Sequence, residues 1–185
     1  MPISGLKRVI YESIPVLTVS VLIETLAGAT LGMQVGFLIS IPVFLMLIPP
    51  LNDLGNDIGC IISSRIASAL HLGTIKVKIK KSPVLTENVI AILIVGALSS
   101  LYLGVMTYML ADLIGEAGIP FGLVIFVSLL AGTLLSALTI CFSTLIAFIS
   151  WYKGLDPCNV VIPIVTSVAD VIGVYCLFLA ISIAT

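Results

Sequence analysis

Charged side chains are scarce in this sequence. Only 9% of its 185 residues are Asp, Glu, Lys or Arg, whereas 60% are hydrophobic. A soluble domain carries about 25% charged residues, and a chain of this size could not bury so much apolar surface in a water-facing fold. The shortage of charge therefore excludes an ordinary soluble protein and indicates an integral membrane protein. The apolar runs are continuous rather than alternating, which favours helices over a β-barrel.

Other chemical groups are also rare or missing. The sequence has four cysteines without a Cys-x-x-Cys pair and one histidine, so the spacing offers neither disulfides nor a thiolate metal site. It contains no Gly-x-x-x-x-Gly-Lys phosphate loop, which argues against an ATP-driven pump. The net charge of −1 implies no nucleic-acid partner.

Five apolar segments are long enough to cross a bilayer core, which needs about 20 residues per helix. We predict an all-α membrane protein in which residues 1–185 form a single five-span domain without a soluble sensor domain. The second predicted span is too long for a simple crossing, and Pro49-Pro50 removes two backbone donors within it, which predicts a kink or break there. The five predicted spans are residues 14–33, 37–71, 85–112, 119–151 and 159–183.

Basic residues fall on one side of this arrangement, at the N-terminus, after the second span and between the fourth and fifth spans. The other side has Asp112 and Glu116 and no basic residue. Cytoplasmic loops carry an excess of Lys and Arg. We therefore expect a multi-pass protein of the plasma membrane with a cytoplasmic N-terminus and an outer C-terminus. The basic residues are Lys7, Arg8, Arg65, Lys76, Lys78, Lys80, Lys81 and Lys153.

Small residues recur every four positions in two places. Gly28, Gly32 and Gly36 form one such face, and a second face in the fourth span contains Ser128, Gly132 and Ser136. Faces of this type permit close helix contact in membranes. Either face could pack within the chain or form the seam of the homodimer that we expect, since a symmetric dimer would double the few intramembrane carboxylates around one axis.

Polar clusters interrupt two of the predicted spans. Directly after the proline pair, two Asn-Asp pairs lie four residues apart, so in a helix the asparagines share one face and the aspartates a neighbouring face. In the fifth span a carboxylate follows a threonine by one turn. A charged group at bilayer depth costs roughly 2.5–3.5 kcal/mol on insertion scales, and such groups usually mark ion paths. The candidate ligands for a hard cation are Asn52, Asp53, Asn56, Asp57, Thr166 and Asp170.

Two motifs in these spans resemble those of MgtE-type magnesium transporters and solute carrier family 41. The resemblance covers nearly the whole chain as a five-span unit. It implies a pore-forming membrane domain, which is dimeric in the bacterial proteins and duplicated within one chain in the eukaryotic ones. The first motif comprises Pro49-Pro50, Gly55-Asn56, Ser64-Arg65-Ile66-Ala67 and Leu70-His71-Leu72-Gly73; the second comprises Leu155-Asp156-Pro157, Pro163, Thr166, Asp170 and Gly173.

The resemblance also implies that Asp170 helps to hold a hydrated Mg²⁺ together with polar groups of the second span. The family's Gly-Asn usually lies about one residue closer to the arginine, so either Asn56 or Asp57 occupies its position. Unlike the bacterial proteins, this sequence shows no cytosolic sensor domain before the first span.

The expected function is transport of a divalent cation, with Mg²⁺ as the transported ion rather than a resident cofactor. Glu24, within the first predicted span, could line the same path or pair with Arg65. The sequence leaves open another ion, such as Ca²⁺ or Mn²⁺, and coupling to Na⁺ or protons. Two remote alternatives are an intramembrane aspartyl protease, which needs two carboxylates sharing a proton, and a membrane scaffold without transport activity.

Overall fold

Helices account for nearly all of the structure. The computed structural model describes residues 2–74 and 83–184, and in these residues it contains six α-helices and no strand, which confirms the predicted all-helical class. Thr185 and the basic residues between positions 76 and 81 lie outside the described residues. The helices are α1 (Pro2–Met33), α2 (Val35–Ser40), α3 (Pro42–His71), α4 (Pro83–Ile114), α5 (Phe121–Tyr152) and α6 (Pro157–Ala184).

Within the described residues, four helices are long and apolar enough to cross a membrane. The chain is therefore a multi-pass membrane protein. These four segments, in α1, α4, α5 and α6, overlap the first, third, fourth and fifth predicted spans, and their ends differ from the predicted ones by at most five residues. The 30-residue α3 does not qualify by the same measure, because amide and carboxylate side chains interrupt its apolar sequence. The four qualifying segments are residues 9–33, 85–114, 121–152 and 159–184.

The interruption of the second predicted span lies at Ile41 and not at the proline pair. Helix α3 continues through Pro49 and Pro50, so of the kink or break predicted at that point the break does not occur. Ile41 has an extended backbone (φ −136°, ψ 78°) between α2 and α3, because a proline disfavours helical backbone in the residue before it. Pro42 then occupies the first turn of α3, where its missing N–H group is no loss.

Three helices form the centre of the bundle. Helix α6 packs against α1, α3 and α5, whereas α4 packs against α3 and α5 on the other side. In α5 and α6, about half of the residues in the apolar membrane-spanning stretch are buried, compared with 11% of those in α1. The seam between α3 and α6 is therefore an interior position, and α1 is a peripheral helix.

The core is divided into two apolar clusters with a polar layer between them. One cluster contains Leu47 and Leu51 of α3 with Leu177 of α6, and the other contains Ile58 and Ile62 of α3. The residues of α3 between these clusters are the Asn-Asp pairs. Helix α5 contributes buried hydroxyls at the corresponding level, Ser136 and Thr139. The sequence therefore places polar groups where two well-packed apolar layers enclose them.

The small-residue face of α5 packs inside the protomer. Gly132 of α5 packs so closely against Ser100 of α4 that an added Cβ would clash with its side chain, and Gly96 of α4 meets Ser136 of α5 in the same way. By contrast, nothing lies within 4 Å of a Cβ built on Gly28 or Gly32. Of the two small-residue faces in the sequence, the one in α1 is therefore open.

Candidate cation site between α3 and α6

The central contact of the candidate site joins Asn56 of α3 to Asp170 of α6. The Asn56 side-chain amide donates to Asp170 Oδ1 at 3.4 Å, and both side chains are partly buried. Each residue lies close to the midpoint of its own helix, which is where membrane transporters hold their substrates. A contact this long is a weak hydrogen bond. It leaves the carboxylate with most of its acceptor capacity free.

Two amide oxygens that α3 contributes to this seam have no partner. Asn52 Oδ1 and Asn56 Oδ1 are buried and make no hydrogen bond within the described residues. Buried polar atoms of this kind are rare in native proteins, and an unfilled water or ion position is one of the established reasons for them. Together with Asp170 they form a set of oxygen ligands along one seam, with the negative charge on α6 and the amides on α3.

Gly173 creates the space that Asn52 occupies. A Cβ built on Gly173 would lie 2.5 Å from Asn52 Oδ1, so only glycine lets the α3 amide approach the α6 backbone at this point. Gly59 lies one turn further along α3 from Asn56 and allows a similar close approach to α6. A Cβ built on Gly59 would lie 2.5 Å from Val165 Cγ1. These two glycines bring α3 and α6 close together above and below the polar contact.

Thr166 lies one turn before Asp170 on α6, but its hydroxyl is already engaged. It donates to the Pro163 carbonyl at 3.0 Å. Its oxygen keeps its lone pairs for a cation or a water molecule. The structure therefore leaves Thr166 available as an acceptor only.

Asp53 and Asp57 lie on a different face of α3 from the two asparagines. Both are exposed and line an open groove of about 600 Å³ between α3 and α4, together with Ser99 and Tyr102. Of Asn56 and Asp57, Asn56 is the residue that contacts Asp170. The structure brings together Asn52, Asn56 and Asp170, and separates Asp53 and Asp57 from them.

Glu24 of α1 contacts α6 about one turn before Asp170. It accepts a 2.7 Å hydrogen bond from Ser167, whereas Arg65 donates to Asn88 of α4 at 2.6 Å. The suggested pairing of Glu24 with Arg65 is therefore not the one the structure forms. Sequence analysis missed Ser167, although its position three residues before Asp170 placed it on an adjacent face of the same helix.

The candidate ligands Asn52, Asn56 and Asp170 carry a single negative charge between them. No group of three or more His, Cys, Asp or Glu side chains that could hold a metal ion occurs in the part of the chain that is described. A site with one carboxylate and two amides cannot replace the whole hydration shell of a divalent cation. It suits an ion that keeps several of its water molecules, as Mg²⁺ does.

The fold and this seam define a multi-pass helical membrane protein in which a carboxylate of α6 meets an amide of α3 near the middle of two long helices. The sequence profile of the family described as MgtE, divalent cation transporter, matches residues 48–180. The chain belongs to this family, which is one of transporters and not of enzymes. No curated protein and no solved structure matches the chain.

Proposed function

We propose that this protein transports Mg²⁺ across the membrane along the seam between α3 and α6. The observation that carries the proposal is the pair of unpartnered amide oxygens, Asn52 Oδ1 and Asn56 Oδ1, beside the partly buried carboxylate of Asp170. The apolar layers on either side of them would hold a narrow polar passage in place. Membership of a divalent cation transporter family supports the class of ion.

Binding through water explains why so few protein ligands are needed. Mg²⁺ gives up its water reluctantly and is usually held by one or two carboxylates. Asp170 would supply the charge, and Asn52 and Asn56 would accept hydrogen bonds from the ion's water molecules. Thr166 Oγ1 would serve as a further acceptor. Asp53 and Asp57, on the α4 side of α3, would act as secondary groups that attract cations to the protein.

The membrane arrangement that fits this role has five spans, which are the four more apolar helices and α3. We infer a single membrane domain in the plasma membrane with its N-terminus in the cytoplasm and its C-terminus outside. A homodimer would place the open glycine face of α1, around Gly28 and Gly32, against a second protomer. This arrangement is supported by the exposure of α1.

Reconstitution in liposomes tests the proposal. Protein-containing vesicles loaded with a magnesium-sensitive dye should take up Mg²⁺, and D170A should reduce the initial rate roughly 10–100-fold, the range expected for losing a hydrogen-bonded charge. The matched control is D112A, which removes an exposed carboxylate at the end of α4 and should leave the rate unchanged. Competition with Ca²⁺, Mn²⁺ and Na⁺ identifies the preferred ion. Undiminished uptake by D170A would contradict the site.

A further inference from the structure

Two buried hydroxyl groups of α5, those of Thr139 and Ser143, lack a hydrogen-bond partner. In the part of the chain that is described, the buried side-chain nitrogen and oxygen atoms without a partner are these two hydroxyl oxygens and the amide oxygens of Asn52 and Asn56. The exposed fractions of Thr139 and Ser143 are 1% and 0%. Such atoms are rare in native proteins. The site between α3 and α6 accounts for the two amides but not for the two hydroxyls.

Other hydroxyl groups of α5 are bonded to the backbone of the preceding turn. Thr133, Ser136 and Thr144 each donate to the carbonyl four residues earlier, at 2.6, 2.6 and 2.7 Å, which is a common arrangement inside helices. Thr139 and Ser143 do not make this bond. Their oxygen atoms therefore point away from the carbonyls of their own helix and lie in the interior of the bundle.

Helices α3 and α5 run side by side in the same direction and keep one register. A Cβ built on Gly59 of α3 would lie 3.2 Å from Thr139 Cγ2 of α5. About three turns further along, His71 and Trp151 form an edge-to-face contact with their ring centroids 4.9 Å apart. Both pairs have the same separation in residue number, so the register between the two helices is the same at both points.

This register places the two hydroxyls directly beyond the candidate site. Gly59 follows Asn56 by three residues, which is a rise of about 4.5 Å along α3, so Thr139 lies about one turn beyond Asn56. Ser143 comes one turn later, at the level of Ser63. The buried Ser63 hydroxyl donates to the Gly59 carbonyl at 2.6 Å and keeps its own lone pairs. Oxygen atoms thus continue from the site toward the end of the bundle where α3 and α5 terminate.

The surroundings of these hydroxyls do not explain them. The apolar cluster at this level contains Ile62 of α3, Ile140 of α5 and Val161 of α6. A side chain of the same shape without a hydroxyl would pack among them without leaving a polar atom unsatisfied. Packing alone therefore does not favour a hydroxyl at positions 139 and 143. Water molecules, free or carried by an ion, can both donate to a hydroxyl and accept from it.

We propose that Thr139 and Ser143 line the continuation of the cation path, from the Asn56–Asp170 site along α5 toward the end of the bundle marked by His71. Mg²⁺ keeps several of its water molecules when it is bound. The two hydroxyls would form hydrogen bonds with these water molecules as the ion leaves Asp170. The inference rests on the proposed function and gives α5 a part in it.

Substitutions that preserve shape separate transport from packing. T139V and S143A remove an unpartnered hydroxyl, so the thermal unfolding temperature in detergent should stay the same or rise. The initial rate of Mg²⁺ uptake into liposomes should nevertheless fall roughly 3–10-fold in each variant, as expected for the loss of one hydrogen bond. T144V is the matched control, because it is the same substitution on the same helix at a hydroxyl that is bonded to the Ile140 carbonyl. It should leave uptake unchanged.

Two results would overturn this continuation of the path. One is unchanged uptake by either T139V or S143A. The other is a fall in the unfolding temperature that accompanies the loss of uptake, because the hydroxyls would then support the fold rather than the ion. In both cases a reduced rate in D170A would leave the site between α3 and α6 intact. Undiminished uptake by D170A would instead contradict the proposed function itself.

Discussion

At the scale of single residues, the spacing of the Asn-Asp pairs places amides and carboxylates on different faces of one helix. Asn52 and Asn56 face α6, where Asn52 lies against Gly173 and Asn56 contacts Asp170. Asp53 and Asp57 face the open groove toward α4. A neutral amide is less costly to bury than a carboxylate. The interior of the bundle therefore receives the amides and a single charge, and the two extra charges remain where a groove keeps them accessible.

Gly173 is the residue whose replacement tests this packing most simply. G173A would place a Cβ 2.5 Å from Asn52 Oδ1, so the amide must move away from the site. We expect uptake of Mg²⁺ to fall several-fold, together with the loss of about 1–3 kcal/mol that overpacking usually costs. G122A is the matched control, because nothing lies within 4 Å of a Cβ at that position. Equal uptake by the two variants would show that Asn52 does not serve the site.

At the scale of helices, α4 and α5 are held together by alternating small residues. Ser100 meets Gly132, Gly96 meets Ser136, and Gly104 meets Ser128. Ser128 also donates to the Ser100 carbonyl at 2.7 Å across the interface. Without a hydrophobic driving force between helices in lipid, close packing and hydrogen bonds of this kind provide the attraction.

G132V tests this interface. The added branched side chain would collide with Ser100 and force α4 away from α5, so we expect a lower thermal unfolding temperature in detergent, corresponding to roughly 1–3 kcal/mol. The comparison is G122V, at the open N-terminus of α5. An unfolding temperature of G132V equal to that of G122V would mean that α4 and α5 can separate without loss.

The helices and their interruptions differ in how well the sequence predicts them. Apolar length predicted the helical segments because burial of a backbone in lipid requires helices. The second segment is interrupted at Ile41, because Pro42 disfavours helical backbone in the residue before it. The proline pair for which the sequence predicts a kink or break, Pro49 and Pro50, is tolerated inside α3. Proline in the interior of a helix removes a backbone hydrogen bond, but neighbouring helices decide whether the helix continues through it.

The choice between Asn56 and Asp57 could not be made from sequence. The two residues lie on adjacent faces of α3, and both faces contain polar groups, so periodicity alone does not orient the helix. Close contacts of Gly59 with Val165 and of Gly173 with Asn52 determine which face meets α6. These contacts join residues more than 100 positions apart in the sequence, and their pairing depends on the packing of the whole bundle.

At the scale of the whole molecule, α1 is the helix with an unfilled surface. Only 11% of the residues in its apolar stretch are buried, and its glycines Gly28 and Gly32 have open space around them. If these glycines form the dimer seam, the double variant G28L/G32L should convert a dimeric species into a monomeric one, as measured by light scattering with size-exclusion chromatography in detergent. G122L provides the control. A variant that remains dimeric would place the seam on another face.

The central claim is that Asp170 and not the neighbouring carboxylates of α3 holds the ion. Both D170N and D57N remove one negative charge near mid-membrane and preserve side-chain volume. The most direct measurement is therefore the initial rate of Mg²⁺ uptake into liposomes by these two variants at equal protein density. We predict a loss of roughly 10–100-fold for D170N and a rate within about twofold of wild type for D57N. The reverse order would contradict the account and move the path to the groove between α3 and α4.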